Sequence, residues 1–294
     1  MSEQALGLQQ QMRSIVEIGK PKVVLLIVFT AYVGMLLGYP DAIDWPVVLA
    51  ACLGIGLLAA SGAAINHVLD ARIDRLMART ASRPLATEVM ERRLALLMAA
   101  LWATAGMLIL LAWVNVLTAA LTLLAMVGYA IIYTLFLKRH TPQNIVWGGA
   151  AGAAPPLLGW AAATGEVGIE GLLLFLIIFL WTPPHFWPLA IAKVEEYRRA
   201  DVPMLPVTHG IEATKWQILL YTVAMVIVTM LPTAIGMSGW IYGVAAAVLN
   251  AVFLWRAWRL YRSPHHRGAM GLFTYSIIYL ALLFLALLLD HYLL

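Results

Sequence analysis

Three oxygen-bearing side chains recur every four residues near the end of the second long apolar segment: Asn66, Asp70 and Asp74. On an α-helix a step of four residues advances about 40° around the axis and about 6 Å along it, so the three side chains share one face. Two carboxylates and an amide oxygen are hard ligands, too few for a closed calcium cage, and they suit Mg²⁺ completed by water and phosphate oxygens. A solvated helix end whose acids pair with neighbouring arginines would show the same spacing, so the spacing leaves both interpretations open.

Basic residues are expected on the same side of the chain as these acids. Arg83 lies downstream of them, and Lys138 and Arg139 follow a later apolar segment. A cluster of acids and bases is what a metal-bound diphosphate requires, because acids hold the metal and bases bind the remaining anionic oxygens. A basic anchor at a membrane surface is the alternative for Lys138 and Arg139.

A second polar cluster follows the sixth apolar segment. Its members are Lys193, Glu195, Glu196, Tyr197 and Asp201. An even number of apolar segments separates the two clusters, so both would lie on the same side, where they could share one diphosphate. A loop with mixed charges is the alternative interpretation.

His185 lies within an apolar segment, directly after Pro183 and Pro184. Proline lacks a backbone donor, so this pair is expected to break or kink the helix, and such interruptions in membranes usually line protein-buried cavities. His185 is therefore a candidate for contact with a substrate. A structural, hydrogen-bonded histidine is the alternative.

The elements that must position these residues are long apolar helices. The 294-residue chain is 63% hydrophobic and 12% charged, against roughly 45–50% and 25% in soluble domains, which excludes an ordinary soluble protein. A membrane-spanning helix needs about 20 mostly apolar residues. Nine segments predict an all-α, polytopic integral membrane protein: 22–38, 46–66, 93–113, 116–137, 144–163, 171–191, 216–236, 240–260 and 271–290.

The basic residues fall on one side of these nine predicted spans. All 19 Lys and Arg lie near the N-terminus or in every second connection, so the positive-inside rule predicts a cytoplasmic N-terminus and an external C-terminus. We expect one transmembrane domain over 1–294, with a cytoplasmic tail at 1–20 and cytoplasmic active-site loops at 67–92 and 192–215. The net charge of +4 then reflects these loops and not nucleic-acid binding. Acids and bases gathered at one interface also disfavour a secondary transporter, whose charges lie near the bilayer midplane.

Two sets of motifs resemble a known family. The Asn-x₃-Asp-x₃-Asp spacing followed by Arg83-Pro84-Leu85 resembles the pattern of the UbiA superfamily of intramembrane prenyltransferases. The segments 137–160 and 182–207 resemble the versions found in the branch that acts on haem, not those of the benzoate branch. The resemblance covers about residues 15–290.

One position departs from the superfamily pattern. Its second acidic motif is usually Asp-x₃-Asp, whereas Ala200 stands four residues after Glu196, and Asp201 is out of step by one position. Direct metal binding by Glu196 therefore stays open.

The resemblance implies nine transmembrane helices around a cytoplasm-facing active-site cavity, in a bacterial inner membrane, with Mg²⁺ as cofactor. It implies transfer of the farnesyl group of farnesyl diphosphate to a vinyl group of haem B with addition of water, giving haem O and diphosphate. Prenylation of an aromatic quinone precursor is the alternative. A haem A synthase or a terminal-oxidase assembly is the expected partner that receives the product.

The residue patterns and the resemblance together predict roles for individual residues. Metal binding is predicted for Asn66, Asp70 and Asp74; catalysis for these three with Lys138 and Glu196; diphosphate binding for Arg83, Lys138, Arg139, Lys193 and Asn144; and haem contact for His185 and Tyr197.

Overall fold

The computed structural model describes residues 3–39, 42–76, 80–264 and 266–294, without the side chains of residues 3–8 and Arg139. Over these ranges the chain is helical and contains no β-strand, which confirms the expected all-α class. The helices in chain order are α1 (Glu3–Ile18), α2 (Pro21–Gly38), α3 (Trp45–Asp74), α4 (Arg92–Trp113), α5 (Val116–Val127), a π-helix (Gly128–Leu137), α6 (Lys138–His140), α7 (Asn144–Thr164), α8 (Ile169–Ala192), α9 (Val194–Arg199), α10 (Leu205–Thr208), α11 (Gly210–Ala234), α12 (Trp240–Arg262) and α13 (Ala269–Leu293).

Eight helical segments of the described residues are long and apolar enough to cross a membrane. They are α2, α3, α4, α5 with the π-helix, α8, α11, α12 and α13. The remaining long helix, α7, has 21 residues but is rich in glycine, alanine and proline, and it is not among the eight. The polytopic architecture is thereby confirmed, and the predicted number of nine membrane-spanning helices is approximate.

The regions expected to be loops are partly helical. The second span was expected to end at Asn66, but α3 continues to Asp74, so the connection expected at 67–92 starts later. The connection at 192–215 contains α9, α10 and the first turns of α11, and α1 occupies most of the 1–20 tail. The helix continues past the apolar run because Asp70 and Asp74 form ion pairs with Lys138 and Arg83 from other parts of the chain.

Helices α2 and α7 pack backbone against backbone. A Cβ atom added to Gly159 would lie 1.8 Å from the carbonyl oxygen of Ala31, and one added to Gly34 would lie 2.0 Å from that of Pro156. Small residues allow such close approach, and van der Waals packing of this kind is a main source of attraction between helices in a membrane. The glycines at these positions therefore set the distance between the two helices.

Helix α13 closes the bundle by reaching back to α2. It packs against α8 and α12 and also contacts α2. The hydroxyl of Tyr292 donates to the carbonyl oxygen of Leu36 at 3.3 Å. The nearby carboxylate of Asp290 accepts hydrogen bonds from the backbone N–H of Tyr242, at 3.0 Å, and from that of Gly239. The helices α2, α7, α8 and α13 thus form a closed ring.

Candidate active site

The row predicted on α3 is buried inside the protein. Asn66, Asp70 and Asp74 have 4%, 1% and 3% of their surface exposed. The Nδ2 amide of Asn66 donates to Asp70 Oδ2 at 2.8 Å, so these two side chains lie on one face, as the four-residue spacing predicts. This burial rules out the alternative of a solvated helix end. Arg75, one of the arginines that could have paired with these acids, instead pairs with Glu88.

Three basic side chains from separate parts of the chain contact this row. Lys20 Nζ donates to Asn66 Oδ1 at 2.6 Å, Lys138 Nζ donates to Asp70 Oδ2 at 2.6 Å, and Arg83 Nη1 donates to both carboxylate oxygens of Asp74 at 2.8 and 2.7 Å. We call these six residues the acid–base row. Charge-assisted bonds of this kind are short and strong. The acid–base row thus combines cationic donors with carboxylates, the mixed set suited to a metal ion and an anion.

Lys20 was counted at the sequence level only as one of the basic residues near the N-terminus. It precedes α2 with a left-handed backbone (φ 50°), and its ammonium also lies 3.3 Å from the hydroxyl of Tyr129. Burial lowers the pKa of Lys20 to about 7, with nearby Arg83 acting in the same direction and Asp70 opposing it. The signal available in the sequence was a lysine directly before the proline that starts the first span.

A π-helix packs against α3 beside the acid–base row. Over Gly128–Leu137 the turns are wider than in an α-helix, a geometry often found at functional sites. Thr134 Oγ1 accepts from Asn66 Nδ2 at 3.1 Å and donates to the carbonyl oxygen of Tyr129, five residues earlier, at 2.9 Å. The ring of Tyr133 stacks on that of Tyr129. The π-helix thus places Tyr129 beside Lys20 and Thr134 beside Asn66, and it ends directly before Lys138.

An apolar cavity of about 450 Å³ lies between α2, α3, α5, the π-helix, α7, α8 and α13. Most of its lining is aliphatic or aromatic, and its polar contributors include Lys20, Tyr129, Thr182 and His185. Its size is within the range of typical ligand pockets. Since Lys20 lines the cavity and also contacts Asn66, the cavity adjoins the acid–base row.

His185 lines this cavity from α8. Its ring stacks between Trp181, with ring centroids 4.1 Å apart, and Phe273, at 4.8 Å. Of the expected break or kink at Pro183 and Pro184, the break is wrong, because α8 runs without interruption through both prolines. Neighbouring helices that bury these prolines allow a membrane helix to continue.

The second polar cluster is more exposed. Lys193 Nζ pairs with Glu196 Oε1 at 2.7 Å, and the two side chains are 49% and 27% exposed. Tyr197 is buried. Helix α9 ends at Arg199, and Asp201 has a left-handed backbone (φ 52°), so no helical row continues to it. The structure thus pairs Lys193 and Glu196 with each other instead of bringing them onto the carboxylates of α3.

Two other candidate residues follow α6. The side chain of Arg139 lies outside the described part of the structure. Asn144, the first residue of α7, is fully buried, and neither polar atom of its amide has a hydrogen-bond partner among the described residues. Buried amides are normally satisfied, so the amide of Asn144 is an exception among the described residues.

The donor set fits a metal that also binds substrate. Among the described residues, no three His, Cys, Asp or Glu side chains gather into a complete metal-binding group. The row instead offers two carboxylates and one amide oxygen within a basic surrounding. A hard cation held here would take its other ligands from water and from phosphate oxygens, which is how Mg²⁺ is usually bound.

Comparison with known proteins agrees with this geometry. The chain is 57% identical over 276 residues to the protoheme IX farnesyltransferase of Thioalkalivibrio sulfidiphilus, covering 94% of this chain and 91% of that protein. It is 57% identical over 282 residues to protoheme IX farnesyltransferase 1 of Pseudomonas putida strain GB-1, covering 96% and 95% of the two chains.

Solved structures share the fold at low sequence identity. A digeranylgeranylglyceryl phosphate synthase superposes with a TM-score of 0.83 at 20% identity, covering 96% of this chain and 99% of that one. A UbiA homologue from Archaeoglobus fulgidus bound to DMAPP and Mg²⁺ superposes with a TM-score of 0.59 at 16% identity, covering 93% and 99%. The model of the UbiA prenyltransferase family matches residues 27–288. This multi-pass membrane protein belongs to the UbiA prenyltransferase family.

Proposed function

We propose that this protein is a protohaem IX farnesyltransferase of a bacterial inner membrane. It transfers the farnesyl group of farnesyl diphosphate to a vinyl group of haem B, with addition of water, and releases haem O and diphosphate. The observation that carries the proposal is the buried acid–base row adjoining an apolar cavity through Lys20. Relatives 57% identical over nearly the whole chain bear this enzyme's name, which supports the choice of haem as acceptor.

The acid–base row is the proposed diphosphate site. Asn66, Asp70 and Asp74 would hold Mg²⁺, and the metal supplies charge stabilisation on the leaving group when it is bound. Lys138 and Arg83 already lie within hydrogen-bond distance of the two carboxylates, so they would meet the remaining diphosphate oxygens. We also include Arg139, Lys193 and Asn144 in the proposed diphosphate site. These three residues are assigned from the sequence, and no contact with the acid–base row among the described residues supports them.

The reaction is an electrophilic addition of the farnesyl group and water to the haem vinyl group, and the basic residues promote departure of the diphosphate. As the allylic C–O bond breaks, Lys138 and Arg83 stabilise the negative charge that builds on the diphosphate. The apolar cavity keeps bulk water from the farnesyl cation. A haem vinyl carbon then bonds to the farnesyl carbon. Water captures the resulting cation beside the porphyrin and loses a proton, which gives the hydroxyethylfarnesyl group.

A labelled-substrate experiment tests the proposed function. Membranes containing the protein are incubated with Mg²⁺, labelled farnesyl diphosphate and either haem B or an aromatic acid, and the products are separated. Membranes that lack the protein are the control. Label in haem O supports the proposal, label in the aromatic acid supports a quinone-type prenyltransferase, and label in neither product overturns both.

The contact of Lys138 with Asp70 predicts a specific defect. Lys138→Ala should lower kcat/KM for farnesyl diphosphate at saturating haem by about 10- to 100-fold, since a charge-assisted contact contributes about 1.5–3 kcal/mol. The matched control is Lys22→Ala, which removes an exposed lysine close to the start of α2. If kcat/KM, normalised to folded protein, is unchanged in Lys138→Ala, then Lys138 does not bind the diphosphate and serves as an anchor at the membrane surface.

The distribution of basic residues predicts the orientation of the chain. A reporter that is active only outside the cytoplasm should work when it is fused after Leu294 and fail when it is fused within 75–90. Both fusions are compared at equal expression. The reverse pattern would place the acid–base row on the external side and contradict cytoplasmic delivery of the diphosphate.

A further inference from the structure

Two aromatic rings and one hydroxyl group hold the ring of His185 in place. Trp181 stacks on one face with 12° between the rings, and Phe273 stacks on the other with 24°. The edge of the ring is fixed by Ser276, whose hydroxyl lies 2.7 Å from Nδ1. The backbone carbonyl of the same serine accepts from Trp181 Nε1 at 2.9 Å. Ser276 on α13 therefore anchors both the imidazole and one of its stacking partners.

The hydrogen bonds around Ser276 determine which ring nitrogen carries the proton. Ser276 Oγ lies 2.6 Å from the carbonyl oxygen of Phe273, and two oxygens this close need a hydrogen between them. Only the serine can supply that hydrogen, since the carbonyl has none. Having donated its one proton, the hydroxyl must accept at its contact with His185. Nδ1 is then the protonated nitrogen, and Nε2 carries a lone pair.

We infer that Ser276 positions His185 in the tautomer whose Nε2 lone pair binds the iron of the haem substrate. His185 lines the cavity, and Nε2 has no hydrogen-bond partner among the described residues. Imidazole is a common axial ligand of haem iron, and a hydrogen bond from its other N–H orients such a ligand and increases its basicity. The inference rests on the proposed function, since haem brings the iron. Ser276 is fully buried, so it acts through His185 and does not itself touch haem.

Absorption spectra of haem B bound to the purified protein in lipid nanodiscs test this assignment. The wild type should show the spectrum of histidine-ligated iron, His185→Gly should lose it, and added imidazole should restore it. Ser276→Ala should raise the Kd for haem by about 10- to 100-fold, the usual effect of removing a partner of a metal ligand. Ser276→Thr keeps a hydroxyl and should bind like the wild type. Thr274→Ala, at an exposed position two residues earlier on α13, is the matched control.

A second measurement reads the tautomer in the wild-type protein, without any variant of Ser276. Nitrogen-15 NMR of labelled histidine, assigned by its loss in His185→Gln, should show a protonated Nδ1 and an unprotonated Nε2. The opposite tautomer overturns the inference, as does a Ser276→Ala protein that binds haem with the affinity of the wild type.

Farnesyl transfer is measured on the same preparations to separate the two proposals. If the wild type farnesylates haem while Ser276→Ala binds haem normally, the inference fails and the proposed function stands. If the wild type shows the His185-dependent spectrum but never produces haem O, the proposed function fails and the ligand assignment stands.

Discussion

Replacing Asp70 by asparagine is expected to lower the rate of farnesyl transfer by about two to three powers of ten, the range found when one electrostatic contact to a developing charge is removed. The substitution keeps the shape of a residue that is 1% exposed but removes a charge that the proposed metal requires. It also leaves Lys138 without its anionic partner at 2.6 Å. The rate is measured at saturating Mg²⁺ and normalised to folded protein.

A variant at the opposite end of the same helix is the control for this prediction. Asp44 caps α3 by accepting from the backbone N–H of Val47 at 3.2 Å, and asparagine caps helices about as well as aspartate. Asp44→Asn should therefore keep both fold and activity. Normal haem O production by Asp70→Asn would remove the acid–base row from the mechanism.

A single methyl group between α2 and α7 is expected to prevent assembly of the bundle. In Gly159→Ala the new Cβ would lie 1.8 Å from the carbonyl oxygen of Ala31, so one of the two backbones would have to move. Overpacking usually costs about 1–3 kcal/mol, and a clash with backbone atoms exceeds that range, against a total stability of about 5–15 kcal/mol. We expect little or no monodisperse protein by size-exclusion chromatography.

Gly152→Ala provides the comparison on the same helix. A Cβ at Gly152 meets no described atom within 4 Å, so this variant should elute and melt like the wild type. If Gly159→Ala also yields protein with an unchanged melting temperature, the close contact of α2 and α7 does not exist in the membrane.

Much of the fold was predictable because membrane spans are defined by local composition. Runs of about 20 apolar residues identify α2, α4 and α13 without reference to any partner. The same criterion misjudged α3, because charged residues end an apolar run whether or not the helix ends. The span predicted at 144–163 matches α7 within one residue, although several of its small residues serve contact with α2.

The acid–base row shows what spacing can and cannot predict. Asn66 and Asp70 meet because four residues return to the same face of a helix. The contacts from Lys20 to Asn66 and from Lys138 to Asp70 join residues 46 and 68 positions apart. They depend on how separate helices pack, which no local pattern records. For the same reason nothing in the sequence indicated that Ser276 would meet His185, 91 positions away.

The contact of α13 with α2 makes completion of the site depend on the order of synthesis. At about 5–20 residues per second, α13 leaves the ribosome roughly ten to fifty seconds after α2. Until then a nascent chain has the carboxylates of α3 but lacks Ser276 and the cavity wall that Leu280 contributes. A chain interrupted before α13 would therefore leave one side of its cavity open to lipid. The cavity is thus closed on this side only after every residue of the acid–base row has been synthesised.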